Sequence, residues 1–298
     1  MDDDVVMKDV GMPAAGGAGD ALAHRSAAVL QLAKEHAHPN DARVTFVEAD
    51  HTYFVDGQLM GISVTGLIHT ASPDDFDPDE ALVKMKRGRN WPNAKYADVV
   101  SGRLVPWADD RIKTQWRDAG KLATDLGTDL HGCLELHFNG ESPRVIDENT
   151  ATFAWALAWF DTQAAEGWEP WRTEMLIFDK DASLAGSVDF IARHKTRGTY
   201  MIIDWKRCGT DKLKSCFGNK RMRKPLDGLE DTKDNKWRLQ VNVYREILET
   251  HYGWTIERMC MVVCHPDNTA PCAQVYEYER TDAARVLIQS RKERLVMC

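Results

Sequence analysis

The chain has 298 residues, 43% of them hydrophobic and 28% charged, with a formal net charge of −8. That balance fits a soluble globular protein with a full core, either one large domain or one domain with appendages, and it excludes a protein that coats nucleic acid over its whole surface. No apolar run approaches a membrane span, and the acidic start Met1-Asp2-Asp3-Asp4 lacks the hydrophobic region of a signal peptide. The expected setting is therefore reducing, cytoplasmic or nuclear rather than secreted.

Residues 1–20, rich in Asp, Gly, Ala and Pro, are expected to be disordered, and Ala21–Ala37 has a helical pattern stopped by Pro39-Asn40. The apolar runs 44–47 and 52–55 around Glu48–His51 predict a hairpin. Asp56-Gly57 marks the next turn, and Ile62-Ser63-Val64-Thr65 leads into a further element. Pro73, Pro78, Pro92 and Pro106 break the following stretch into short helices. From Asp109 to Phe138, Ile112, Trp116, Ala119, Ala123, Leu126, Leu130 and Leu134 recur at helical spacing, and Asn149–Ala165 predicts a second helix. Strands are expected at 171–178, 183–192 and 201–206, joined by short turns as an antiparallel meander. An amphipathic helix at 235–251, a strand at 256–263 and a helix at 281–296 complete the chain. The expected class is α+β: a central mixed sheet containing the meander, flanked by helices.

The meander carries the chemistry. Glu174, Asp189 and Asp204 follow one another at intervals of fifteen residues, one per predicted strand, and Lys206 lies two residues beyond Asp204. Alternation puts Asp204 and Lys206 on one face with Trp205 opposite. Carboxylates brought together repel unless a cation sits among them, and hard oxygen ligands suit Mg²⁺ or Mn²⁺. His131 on the long helix offers a rigidly held imidazole. Gln240 is set into an apolar helical stripe four residues before Tyr244, where an amide needs a polar partner. Arg207, Lys212, Lys214, Lys220, Arg221, Arg223 and Lys224 form a basic run in an otherwise acidic chain, read as a substrate-phosphate contact. A second cluster is Lys84, Lys86, Arg87 and Arg89, and Trp91 is a candidate for base stacking. The seven cysteines are odd in number and irregular in spacing. Cys260 and Cys264 flank an apolar strand, where free thiols act as small hydrophobes rather than metal ligands.

In chain order, Gly127-Thr128-Asp129-Leu130-His131, Glu174, Gly186-Ser187-Val188-Asp189, Ile203-Asp204-Trp205-Lys206 and Gln240-Val241-Asn242-Val243-Tyr244 resemble the PD-(D/E)XK nuclease superfamily, in its RecB-like and lambda-exonuclease-like branch. The match covers about residues 110–265. His51–Gly57, Ser63-Val64-Thr65 and Pro225-Leu226 look like the corresponding pieces of phage and large DNA-virus members. The resemblance implies a restriction-endonuclease-like core at 111–298, preceded by a tail and short helix at 1–40 and a hairpin with irregular helices at 41–110. It implies a Mg²⁺- or Mn²⁺-dependent deoxyribonuclease, an exonuclease on single-stranded or duplex DNA ends in replication, recombination or repair. By the same resemblance Asp189 and Asp204 bind metal with a carbonyl near Trp205, His131 helps, and Glu174 binds directly or through water. Lys206 aligns the attacking water, while Gln240 and Tyr244 support the site. The alternative on the same fold is a non-catalytic nucleic-acid-binding subunit of a recombination complex, expected to carry a broken acid–lysine set.

Overall fold

The computed structural model describes residues 31–73, 76–89, 91, 96, 106–211, 213–216 and 220–297. The expectations for residues 1–30 and for Lys212 lie outside the described residues. Contacts divide the described residues into two compact units, one drawn from 76–126 and the other from 31–73 with 127–297.

In the smaller unit, α3 (Pro78–Lys86) begins with Pro78 and is capped by Asp77, whose carboxylate accepts from the backbone N–H groups of Asp79 and Glu80. Leu82 and Met85 pack with Ile112 and Trp116, from the first part of the long helix α4 (Pro106–Phe138). Trp91 packs against this cluster, and Trp116 Nε1 donates to Tyr96 Oη at 2.6 Å. Two lysines of the second basic cluster meet acids of their own unit, Lys84 with Glu80 and Lys86 with Asp109.

The larger unit opens with α1 (Gln31–Glu35) and a small antiparallel sheet of β1 (Val44–Val47), β2 (Thr52–Val55) and β3 (Gln58–Leu59). Asp56 and Gly57, at φ 51° and 76°, form the two-residue turn between β2 and β3. Positive φ at both central positions matches the twist of the strands, and Asp-Gly tolerates it. β4 (Ile62–Ser63) leads directly into α2 (Val64–Ala71), whose first turn is capped by Ser63 Oγ accepting from Gly66 N at 3.0 Å.

The principal sheet is mixed. β5 (Trp168–Asp179), β6 (Leu184–His194) and β7 (Tyr200–Lys206) form the antiparallel meander. β8 (Ile256–Val263) lies parallel to β7, β9 (Gln274–Glu277) antiparallel to β8, and β4 parallel to the start of β6. One face is covered by α2, α6 (Lys233–His251) and α7 (Ala283–Val296), with Val241, Tyr244, Leu248 and Leu287 in its core. The other is covered by the later turns of α4 and by α5 (Thr150–Ala165), through Leu130, Leu134, Ala156 and Phe160. Ile202 faces the first layer, while Met201, Ile203 and Trp205 face the second, the alternation a strand requires. Among the described residues no helix is long and apolar enough to cross a membrane.

Two irregularities shape the site. Pairing of β6 with β7 runs from Arg193↔Tyr200 to Phe190↔Ile203 and stops before Asp189 and Asp204. β7 continues beside β8 through Lys206, so the strands of the meander part where they carry their acids. The second irregularity is Glu174, whose φ is +43° in the middle of β5. In a regular strand Thr173 and Met175 would share a face. Here Met175 and its partner Val188 lie in the α2–α6 core, whereas Phe190, the partner of Thr173, lies in the α4–α5 core. Both strands therefore change face at the Glu174 and Asp189 positions.

Candidate metal centre

Parting β6 from β7 removes a ladder partner from Trp205, and the backbone compensates locally. Trp205 N donates to Asp189 Oδ2 at 3.0 Å, and Trp205 O accepts from His131 Nε2 at 2.9 Å. His131 Nδ1 then stands 3.4 Å from the same Asp189 oxygen. With the ring proton on Nε2, a nitrogen lone pair faces a carboxylate oxygen. That arrangement is favourable when a proton or a cation stands between them. The Trp205 carbonyl orients the imidazole.

His131, Glu174 and Asp189 each place a ligand atom within 4.8 Å of the others. Among the described residues this is the group of three or more His, Cys, Asp or Glu side chains close enough to share an ion. Glu174 Oε2 accepts from Ser187 Oγ at 2.9 Å. Asp204 is fully buried and lies outside that group, with Oδ2 2.5 Å from Lys206 Nζ. Neither Asp204 oxygen has a hydrogen-bond donor in good geometry among the described residues, so its charge is met by the ion pair alone. A buried carboxylate in that condition is costly. Gln240 Nε2 donates to Tyr244 Oη at 3.1 Å, and both side chains are buried.

The electrostatics follow from burial and crowding. Burial, and then the charge of Asp204, push the Asp189 carboxyl up to about 8. Burial lowers the His131 pKa, against the pull of the Glu174 charge. The Tyr244 phenol is raised well above its ordinary value by burial first, then by Asp204 and Asp189. A cation that displaced the Asp189 proton would face three carboxylates and one ammonium around a neutral His131, a net deficit equal to the charge of one divalent ion. The donor set therefore fits a hard or borderline divalent cation, with one nitrogen among oxygens.

The basic run is placed less uniformly. Arg207 is turned inward, with Nε donating to Asn149 Oδ1 at 2.5 Å and a second nitrogen to Glu148 O at 3.0 Å. Arg221 donates to Gly228 O at 2.7 Å, and Lys214, Arg223 and Lys224 are exposed. Lys220 is half-buried, with its carbonyl accepting from Asp231 N. Cys260 and Cys264 are buried free thiols, and burial raises both pKa values to about 12.

Sequence reasoning passed over three contributors. Ser187 holds Glu174, and its place beside the acid of its own motif was the available signal. Tyr53, on β2, is raised to about 12 by burial and by the Glu174 and Asp189 charges; nothing in the hairpin sequence marked it. Gly186 is required by space. A Cβ there would lie 2.9 Å from Val64 Cγ2 and 3.3 Å from Tyr244 Cε1.

No family model matches this chain, and no curated protein matches it. Among solved structures, one described as SSO0001 aligns over 79% of this chain and 75% of its own, at 16% identity and a TM-score of 0.29. A likeness at that level leaves the reading of the site to the residues themselves.

Proposed function

We propose that the protein is a Mg²⁺- or Mn²⁺-dependent deoxyribonuclease of the PD-(D/E)XK superfamily, in its RecB-like and lambda-exonuclease-like branch, acting on DNA ends. The observation that carries this reading is the convergence of His131, Glu174 and Asp189 within ligand distance of one another, beside the buried Asp204–Lys206 pair. The meander with a parallel fourth strand, with α6 packed behind it, agrees with a restriction-endonuclease-like core.

His131, Glu174 and Asp189 would hold the ion, with Asp204 joining them once charge is neutralised. The bound ion supplies Lewis-acid stabilisation of charge growing on the phosphate. Lys206, paired with Asp204, would contribute a second positive charge there and would align the attacking water with phosphorus. The Trp205 peptide keeps His131 and Asp189 in register, so little reorganisation is needed during reaction. Gln240 and Tyr244 satisfy each other in a buried polar contact, and Tyr244 lies near enough to feel the charges of Asp204 and Asp189. Hydrolysis by this route leaves a 5′-phosphate and a 3′-hydroxyl.

The test is digestion of end-labelled linear, circular and single-stranded DNA with Mg²⁺, Mn²⁺ or chelator. Metal-dependent loss of label from linear DNA, abolished by Asp189→Asn and reduced about 10²-fold or more by Lys206→Met, is expected. Cleavage indifferent to both substitutions would refute the catalytic assignment. Tight DNA binding without turnover would move the protein to the non-catalytic reading.

A further inference from the structure

One buried polar side chain near the site is used by none of the chemistry above. Asn149 is fully buried at the start of α5, in the helix N-cap position, yet its side chain makes no cap hydrogen bond. Instead, Asn149 Nδ2 donates to Asp129 Oδ2 at 2.7 Å, and Asn149 Oδ1 accepts from Arg207 Nε at 2.5 Å. Asp129 lies two residues before His131, and Arg207 one residue after Lys206. Thr152 Oγ1 donates to the Asn149 carbonyl at 3.0 Å, fixing the backbone that carries the amide.

We infer that Asn149 is a positioning residue that clamps the His131-bearing turn of α4 to the Lys206 end of β7. A neutral amide suits this task because it donates to a carboxylate on one side and accepts from a guanidinium on the other. No other uncharged side chain of that size does both in so fixed a geometry. One of the groups it joins neighbours His131 in the chain and the other neighbours Lys206, and the Trp205 carbonyl between them orients His131. A shift between α4 and β7 therefore moves His131 relative to Asp189, and moves Lys206 relative to both. The inference rests on the nuclease reading for its kinetic consequences, while the geometric coupling stands apart from it. It also gives Arg207 a structural task in place of a DNA contact.

Exchanging the two partners' chemistry tests the clamp. Asn149→Asp sets two carboxylates against each other where donor and acceptor met. Adding Asp129→Asn restores one donor and one acceptor, with an acceptor still facing Arg207. Asn149→Asp is expected to lower kcat on linear DNA about tenfold or more with KM within about twofold, since small misplacements of reacting groups are costly. The double variant should recover kcat to within about threefold of wild type.

A second readout needs no turnover. The His131 ring nitrogens, followed by NMR, should show one tautomer with the proton on Nε2 in the wild type. Asn149→Asp should mix the tautomers, and the double variant should restore one. Arg207→Lys, which keeps the charge but loses the Nε–H donor, should give the same kcat loss if Asn149→Asp fails to fold. Unchanged kcat and tautomer in the single variants, no recovery in the double variant, or a loss confined to KM would each overturn the assignment. A wild-type protein without metal-dependent cleavage would refute the nuclease reading, and the His131 signals would still decide the clamp.

Discussion

Gly186 offers the sharpest test of how the site is packed. It lies on β6, against Val64 of α2 and Tyr244 of α6. An added Cβ would stand 2.9 Å from Val64 Cγ2, 3.3 Å from Val64 Cβ and 3.3 Å from Tyr244 Cε1. Val64 is β-branched, almost fully buried and at the first helical position after the Ser63 cap, so its side chain cannot rotate aside cheaply. Overpacking of this kind costs about 1–3 kcal/mol. For a chain of this size that lowers the melting temperature by about 2–5 °C. The measurement is a thermal melt of Gly186→Ala followed by near-ultraviolet circular dichroism, repeated in a Val64→Ala background. Removing the Val64 methyls makes room for the new Cβ, so the two substitutions should be coupled by about 1 kcal/mol or more. A melting temperature within about 1 °C of wild type, or an equal cost in both backgrounds, would refute the packing argument.

The remaining predictions concern charge and strain. Glu174→Gly should leave the metal-free protein at or above the wild-type melting temperature, because relief of about 1–2 kcal/mol of left-handed strain offsets the lost Ser187 hydrogen bond. The same variant should lose the Mn²⁺-induced thermal shift, and a large drop in metal-free stability would sink the idea. Asp189 has a raised pKa in the fold, so in the metal-free protein its contribution is complete below about pH 4 and is lost as pH rises through about 8. Mn²⁺ should flatten that slope, as pH-dependent melts with and without the ion will show, and identical slopes would argue against Asp189 as a ligand. Asp179 behaves in the opposite sense. Burial opposes its ionisation, but His251, Lys292 and the Ala182 N–H hold its carboxyl down to about 2. Its stabilisation is present above about pH 4 and is lost as pH falls toward 2, so Lys292→Met should shrink the acid limb of the stability curve.

Periodicity and turn chemistry made most of the elements legible. The hairpin turn at Asp56-Gly57, the long helix, the meander and α6 follow from local pattern, and their observed bounds lie within a few residues of expectation. The acids of the candidate site stand out because each borders an apolar run. What alternation does not convey is a departure from alternation. The change of face at Glu174 and Asp189 depends on one left-handed residue and on where β7 leaves β6, both set by tertiary packing. Asn149 was hidden for a similar reason. An Asn before a helix reads as an N-cap, yet this one is drawn into partners twenty and fifty-eight positions away. Charge alone does not reveal that, within the basic run, Arg207 turns inward to Asn149 and Glu148.

The peptide of Trp205 is gripped on both flanks, its amide by Asp189 and its carbonyl by His131, while its indole lies among Phe138, Phe190 and Trp159. The aromatic interior behind the ribbon is thereby joined to both His131 and Asp189 through a single peptide, so on the proposed reading its ring spectrum would serve as a gauge of ion loading that needs no label.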